Sequence, residues 1–291
     1  MKHIGVLLCG VLFALGAYAQ SVQRCERVGI VLSGGGALGY AHIGVLQALS
    51  EYGIHPSVVA GASMGALVGS LYAQGLSAQQ IFDVVKEAQF DRLFKVLSTA
   101  QKNNRLGLAS HKNVQRVFDT YLPHDSFDSL RYPLYISVTN LTKGEMEIVH
   151  SGGCLHDYLL ASSSIPGVFE PVVIDSMCYV DGGVLNNFPA RAIRDKCDIL
   201  IGVDVNPKDG AAKLNNGIDI LMRTMGVSLW QNSVFDRALC DHVILSYANK
   251  TYNVMSFSDF EVIFQLGYAA AIKYLKAHPD LVQKAGGHAP Q

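Results

Sequence analysis

Three short stretches of this sequence carry residue types that could do chemistry together. Gly61-Ala62-Ser63-Met64-Gly65 reads G-x-S-x-G between an apolar run, Ser57–Ser63, and a helical pattern from Met64 to Ala73. That context is the one in which a serine sits on a sharp strand-to-helix turn with its hydroxyl pushed out of the sheet. Glycines two residues to either side relieve the crowding such a turn creates. The helix that follows aims its positive end at the same spot. Val180-Asp181-Gly182-Gly183 places a carboxylate directly after a short apolar strand. The third stretch, Ser33 to Gly39, contains Gly34, Gly35, Gly36 and Gly39 between an apolar run and a helix. Such a loop offers backbone N–H groups to something negative.

A serine hydroxyl is a poor nucleophile unless a base takes its proton. His242 opens the run HVILS and is one candidate base. His278 and His288 lie in a polar tail, and His42 falls on the inner face of the first helix, where a structural role is expected. Asp181 is the other candidate. The glycine loop also has two readings. Gly34, Gly36 and Gly39 match G-x-G-x-x-G, the dinucleotide fingerprint. That fingerprint asks for an acid about twenty residues on to hold the ribose. The place is filled by VVAGASMG, which has none, and no Lys-Ser/Thr pair follows the glycines to make a phosphate loop. A developing oxyanion is the alternative acceptor.

The elements that must position these groups alternate. RVGIVLS reads as a strand buried on both faces, and apolar residues from Leu38 to Tyr52 recur at helical spacing. With Ser57–Ser63 and Met64–Ala73 this makes a βαβα unit with parallel strands. Further on, Gln80–Leu97 is amphipathic and VQRVFDTY is a short helix. Strands flank a turn at Thr142–Gly144, and LHDYLLASSS is helical and stopped by Pro166. EPVVI and MCYVDGG are short strands. Asn187 and Pro189 are expected to open another helix. DILIGVDVNP is a strand, Ile218–Gln231 a helix and HVILS a last strand. A final helix carries a capping box at Ser258 and Glu261. Alternation throughout indicates an α/β class with helices on both faces of the sheet. The serine triple Ser162–Ser164 is read as a polar helix end. The apolar residues Phe82, Val85, Phe90, Leu93, Phe94 and Leu97 are candidates to line an acyl slot, or else ordinary core.

Composition bounds the rest. The chain has 291 residues, 49% hydrophobic and 16% charged, with a net charge of −1. Disorder and a nucleic-acid partner are not indicated. Residues 1–19 read as a secretory signal peptide: Lys2 and His3 precede an apolar run, Ile4–Leu15, and Ala17 and Ala19 occupy the small positions. Export to the periplasm or outside the cell is expected, with peripheral membrane contact open. Leu8 before Cys9 argues against a lipoprotein. One domain from about 25 to 280 is expected, with 281–291 a polar tail. Of six cysteines, five follow the leader, so at least one lacks an intrachain partner; buried thiols are expected. No metal-ligand spacing is present, and no cofactor, metal or nucleotide is expected.

Four segments together resemble the patatin-like phospholipases of bacterial type: GGGALGYAHIGVLQAL, GASMGALVGSLYAQG, ASSSIPGVFEPV and YVDGGVLNNFPA, which span most of residues 28–205 in the family's order. The resemblance implies a three-layer α/β/α fold with a mostly parallel sheet. It also implies a Ser–Asp dyad without histidine, with Ser63 as nucleophile and Asp181 as its base. Gly34, Gly35 and Gly36 would then form the oxyanion hole, and a lipid or other ester would be the substrate. A silent lipid- or protein-binding module on the same fold, or an acyltransferase, are the competing readings. Where relatives often carry Lys or Arg, this chain has Leu38, which leaves oxyanion stabilisation to neutral N–H groups.

Overall fold

The computed structural model describes residues 26–88, 112–208 and 217–290. The expected signal peptide, Cys9, Cys25 and the apolar residues Phe90, Leu93, Phe94 and Leu97 lie outside those residues. Eight strands form one sheet: β1 Val28–Leu32, β2 Val58–Ala62, β3 Leu134–Asn140, β4 Glu145–Val149, β5 Val172–Ile174, β6 Met177–Asp181, β7 Ile199–Asp204 and β8 His242–Leu245. The helices are α1 Tyr40–Glu51, α2 Met64–Gln74, α3 Ala78–Ala88, α4 Lys112–Tyr121, α5 Leu155–Ser162, α6 Gly217–Arg237, α7 Phe260–Ala277 and α8 Pro279–Lys284. β1 pairs in parallel with β2 and β7, as do β2 with β3 and β7 with β8. β4, β5 and β6 add antiparallel pairing beside β3.

β1 is buried along its whole length, as a central parallel strand must be when both sheet faces are covered. Its side chains divide two cores. Val28, Ile30 and Leu32 join the large one under the helices, where Tyr40 of α1 meets the Phe257 and Phe260 rings edge-on. Val31 points to a smaller core with Val58, Ala60, Leu200 and Phe188.

The register of β3 matters most for the site. Residues 134–137 pair with β2, ending at Ala62 opposite Ser137, and Val138 pairs with Asp181. Val138 to Asn140 already face β4 on one edge. β6 therefore runs along the other edge, taking over where β2 leaves. A strand that ends before Ser63 and a strand that ends at Asp181 thus stop side by side.

Several local expectations change. No helix opens at Asn187: the segment makes only the 3-10 turns Ala190–Ala192 and Arg194–Lys196. Asn186, not Asn187, bonds the local backbone, accepting from Phe188 N at 3.0 Å, and Phe188 is driven into the smaller core. The capping box at Ser258 is absent as well. A 3-10 turn, Phe257–Asp259, precedes α7, Asp259 takes the N-cap, and Glu261 pairs instead with Lys86 at 3.0 Å. α5 stops at Ser162, short of Pro166, while α6 runs on to Arg237. Within the C-terminal segment Leu281 is fully buried, and His288 N donates to Tyr52 O at 2.9 Å. The described cysteines are free thiols, with Cys197 buried but Cys154 exposed. Among the described residues no helix is long and apolar enough to cross a membrane.

Leu281→Ala is expected to destabilise the fold by about 2–5 kcal/mol, the range for emptying a packed leucine site. Urea denaturation measures it; an unchanged midpoint would mean that the segment is not docked.

Candidate active site

Ser63 is the turn between β2 and α2. Its backbone adopts φ 52, ψ −128, a conformation non-glycine residues avoid, and it serves as the N-cap of α2. Such strain persists only where neighbours enforce it. A Cβ on Gly61 would come within 2.6 Å of Gly65 O, and one on Gly65 within 2.2 Å of Leu32 O. The turn is thus closed by backbone packed on backbone, which only glycine permits. Ser63 N donates to Ser162 Oγ at 2.9 Å, and Ser162 Oγ donates onward to Ser137 O at 2.8 Å.

Ser63 Oγ donates to Asp181 Oδ2 at 2.6 Å. Asp181 Oδ1 accepts from Gly183 N at 2.7 Å. The aspartate backbone is held on both sides: its N–H donates to Ser164 O at 3.0 Å, and its carbonyl accepts from Thr139 Oγ1 at 3.0 Å. Gly182 has Ser137 O where a Cβ would stand, 2.0 Å away. The serine triple at the end of α5 is more than a polar helix end. Ser162 holds the elbow and Ser164 holds the acid, roles that no local pattern announces because both partners are distant in sequence.

Ser63 and Asp181 are only 5% and 6% exposed. Burial pushes the Asp181 carboxyl up from 3.8 to about 6, opposed by the hydrogen bonds from Ser63 and Gly183. At neutral pH it is mainly ionised, yet more basic than an ordinary carboxylate.

The glycine loop meets this pair unevenly. Gly35 and Gly36 line the same cavity as Ser63 and Asp181. Gly34 does not: its N–H donates to Asn187 O at 3.2 Å. Its carbonyl accepts from Asn187 Nδ2 at 3.4 Å and, more closely, from Asn206 Nδ2. A trans peptide points its N–H opposite its C=O. Holding the Gly34 carbonyl among the asparagines therefore turns the Gly35 N–H the other way. Gly39 closes the loop on the elbow, where a Cβ would lie 2.3 Å from Met64 Cγ.

The cavity measures about 890 Å³. Its apolar wall comes from Ile165, Val184, Val227, Leu229, Val254 and Met255. Apart from Asp181, its charged lining residues are Lys208 and Arg223. Of the slot candidates, the two among the described residues lie in the core alternative: Val85 is buried there, and Phe82 packs on Phe260 and Phe264. Leu38 does line the cavity, leaving position 38 without a charge.

The histidine alternatives separate from the serine. His242 pairs with Ile201 near the start of β7, at the end of the sheet opposite the elbow, with Tyr274 Oη 3.2 Å away. His278 stacks on Tyr274. His42 is buried, and its Nε2 must donate to Ser33 O at 2.7 Å; burial lowers it to about 4, so it stays neutral. Among the described residues, no group of three or more His, Cys, Asp or Glu could hold a metal ion.

A family model described as patatin-like phospholipase matches residues 30–193. Lysophospholipase NTE1 of Kluyveromyces lactis is 28% identical over 282 residues, covering 86% of this chain and 19% of the relative. The Saccharomyces cerevisiae protein of the same name is 31% identical over 198 residues, covering 66% of this chain and 12% of its own. The match thus spans less than a fifth of these relatives. VipD from Legionella pneumophila shares the fold, with a TM-score of 0.50 at 17% identity over 87% of this chain and 67% of that one.

The raised Asp181 makes a stability prediction with a definite sign. A carboxyl that titrates higher when folded is fully accommodated below the unfolded value near 3.8, and that contribution is lost as pH rises through about 6. Asp181→Asn is therefore expected to be more stable than wild type at pH 8, by about 1–3 kcal/mol. The gain should vanish at pH 3.5. Urea midpoints at both pH values test this, and a gain independent of pH would contradict the burial account.

Proposed function

Since the chain belongs to the patatin-like phospholipase family, we propose that it is a carboxylic ester hydrolase acting on lipid acyl esters through a Ser63–Asp181 dyad. The observation that carries this reading is the 2.6 Å hydrogen bond from the Ser63 hydroxyl to the Asp181 carboxylate at the wall of an apolar cavity. The lysophospholipase relatives support a lipid with at least one acyl chain as substrate. The leader-like residues 1–19 support export, and the apolar wall of the cavity suits an acyl chain.

The steps follow from the contacts. The acyl chain lies along the Val227, Leu229 and Met255 wall, which brings the ester carbonyl to Ser63. Ser63 Oγ attacks the carbonyl carbon while its proton passes to Asp181 Oδ2. The carbonyl oxygen becomes an oxyanion facing the Gly35 and Gly36 amides and the N-terminal end of α2. Preorganised amides of this kind contribute about 10²–10³ in rate per donor. Collapse breaks the bond to the alcohol, which leaves with the proton from Asp181. Water then attacks the acyl-serine, giving its proton to Asp181, and the acid departs as the proton returns to Ser63 Oγ. A carboxylate near 6 suits this shuttle better than an ordinary one, because it binds the serine proton more firmly yet is free of it at neutral pH.

A panel of soluble esters and lysophospholipids, assayed with wild type, Ser63→Ala and Asp181→Asn, tests the assignment. Ser63→Ala should be inactive and unlabelled by a fluorophosphonate, and Asp181→Asn should lose about 10²–10⁴ in kcat. Hydrolysis surviving in Ser63→Ala would refute the dyad. The wild-type kcat/KM should rise with an acid limb near pH 6; a limb near the ordinary aspartate value would refute the role given to the buried carboxylate.

A further inference from the structure

The amides that face the oxyanion are held indirectly, and the chain of contacts leads to the end of a helix that carries no part of the dyad. The Gly34 carbonyl, which fixes the direction of the Gly35 N–H, is gripped by Asn187 and Asn206. Each asparagine lies in a segment anchored by one of two consecutive residues in the last turn of α6. Asp236 accepts from Asn186 Nδ2 at 3.2 Å and from Arg191 Nη2 at 2.8 Å, which ties down the stretch bearing Asn187. Arg237 lies 2.5 Å from Asp204 Oδ2 through Nη2, as a close ion pair rather than an aligned hydrogen bond. Asp204 Oδ1 in turn accepts from Asn206 N at 2.8 Å. The Arg237 guanidinium also sits over the Phe188 ring, 6.0 Å from its centroid, beside Asn187.

These groups are not surface decoration. The Asp204 and Asp236 side chains are 2% and 4% exposed, and Arg237 is 19% exposed. Buried charge of this kind is costly to keep, and hydrophobic replacements of a buried pair are often neutral or stabilising. Neither Asp236, Arg237 nor Asp204 lines the cavity. What they share is the position of two asparagines on one glycine carbonyl.

We propose that Asp236 and Arg237, acting through Asn186–Asn187 and Asp204–Asn206, are positioning residues that hold the Gly34 peptide so that the Gly35 amide faces the oxyanion. The proposal rests on the hydrolase reading above. It makes the last turn of α6 a clamp on the glycine loop, and because Val227, Leu229 and Trp230 of the same helix line the cavity, one element sets both the acyl wall and the amides.

The test uses Asn206→Ala, which removes the donor to Gly34 and leaves the ion pair, and Asp204→Asn, which keeps an acceptor for Asn206 N but removes the charge facing Arg237. kcat and KM are measured on a soluble short-chain ester, with fluorophosphonate labelling rates and urea midpoints alongside. Both variants should lose about 10–100-fold in kcat, less than or comparable to deleting one oxyanion donor. Labelling of Ser63 should slow in parallel. Arg237→Lys, which keeps the charge, should lose less kcat than Arg237→Gln. Unchanged kcat in folded Asn206→Ala overturns the proposal, as does a change confined to KM or an activity loss that merely tracks the unfolded fraction. A wild type inert toward all esters would instead sink the hydrolase reading, so the two failures are distinguishable.

Discussion

The site depends on a carboxylate that the fold has taken out of water and compensated only in part. Asp181 is buried, which works against its charge; two short hydrogen bonds, from Ser63 Oγ and Gly183 N, work for it. The balance settles the group at about 6, between a fully solvated acid and one that would stay protonated at neutral pH. Among the described residues no histidine hydrogen-bonds Ser63, which fits this arrangement, because desolvation supplies basicity that an exposed aspartate lacks.

That balance is delivered by strand register. β3 pairs with β2 up to Ser137 and with β6 from Val138, so the elbow and the acid leave the sheet at adjacent positions. Ser162 and Ser164, at the end of α5, then fasten one backbone each. The strained φ of Ser63 survives because Gly61 and Gly65 allow main chain to press on main chain around it. Strain, register and burial are consequences of one packing arrangement rather than separate devices.

The glycine loop shows how a motif can be legible and its internal roles not. Gly34, Gly35 and Gly36 look equivalent in sequence. In the fold Gly34 spends its N–H on Asn187 O and its carbonyl on two asparagines, while Gly35 and Gly36 reach the cavity. The distinction is made by Asn187 and Asn206, which lie on segments far along the chain. The apolar wall of the cavity was equally illegible. The amphipathic stretch after Ser77 has the right composition, but its described part packs under α7, and the wall comes instead from α6 and the Val254–Met255 turn.

The sequence by itself determined the alternating α/β class, the elbow around Ser63, the strand-end acid at Asp181 and the glycine-rich loop, because each is a local pattern whose physical demand falls on neighbouring residues. It misjudged the helix at Asn187 and the capping box at Ser258, where local preference yielded to the burial of Phe188 and the pairing of Glu261 with Lys86. Only the tertiary structure decided that the Asp181 carboxylate comes within 2.6 Å of the Ser63 hydroxyl, how far its pKa rises, which glycines of the loop reach the cavity and what else lines it. Those are properties of contacts between residues a hundred or more positions apart, and no window of sequence contains both partners.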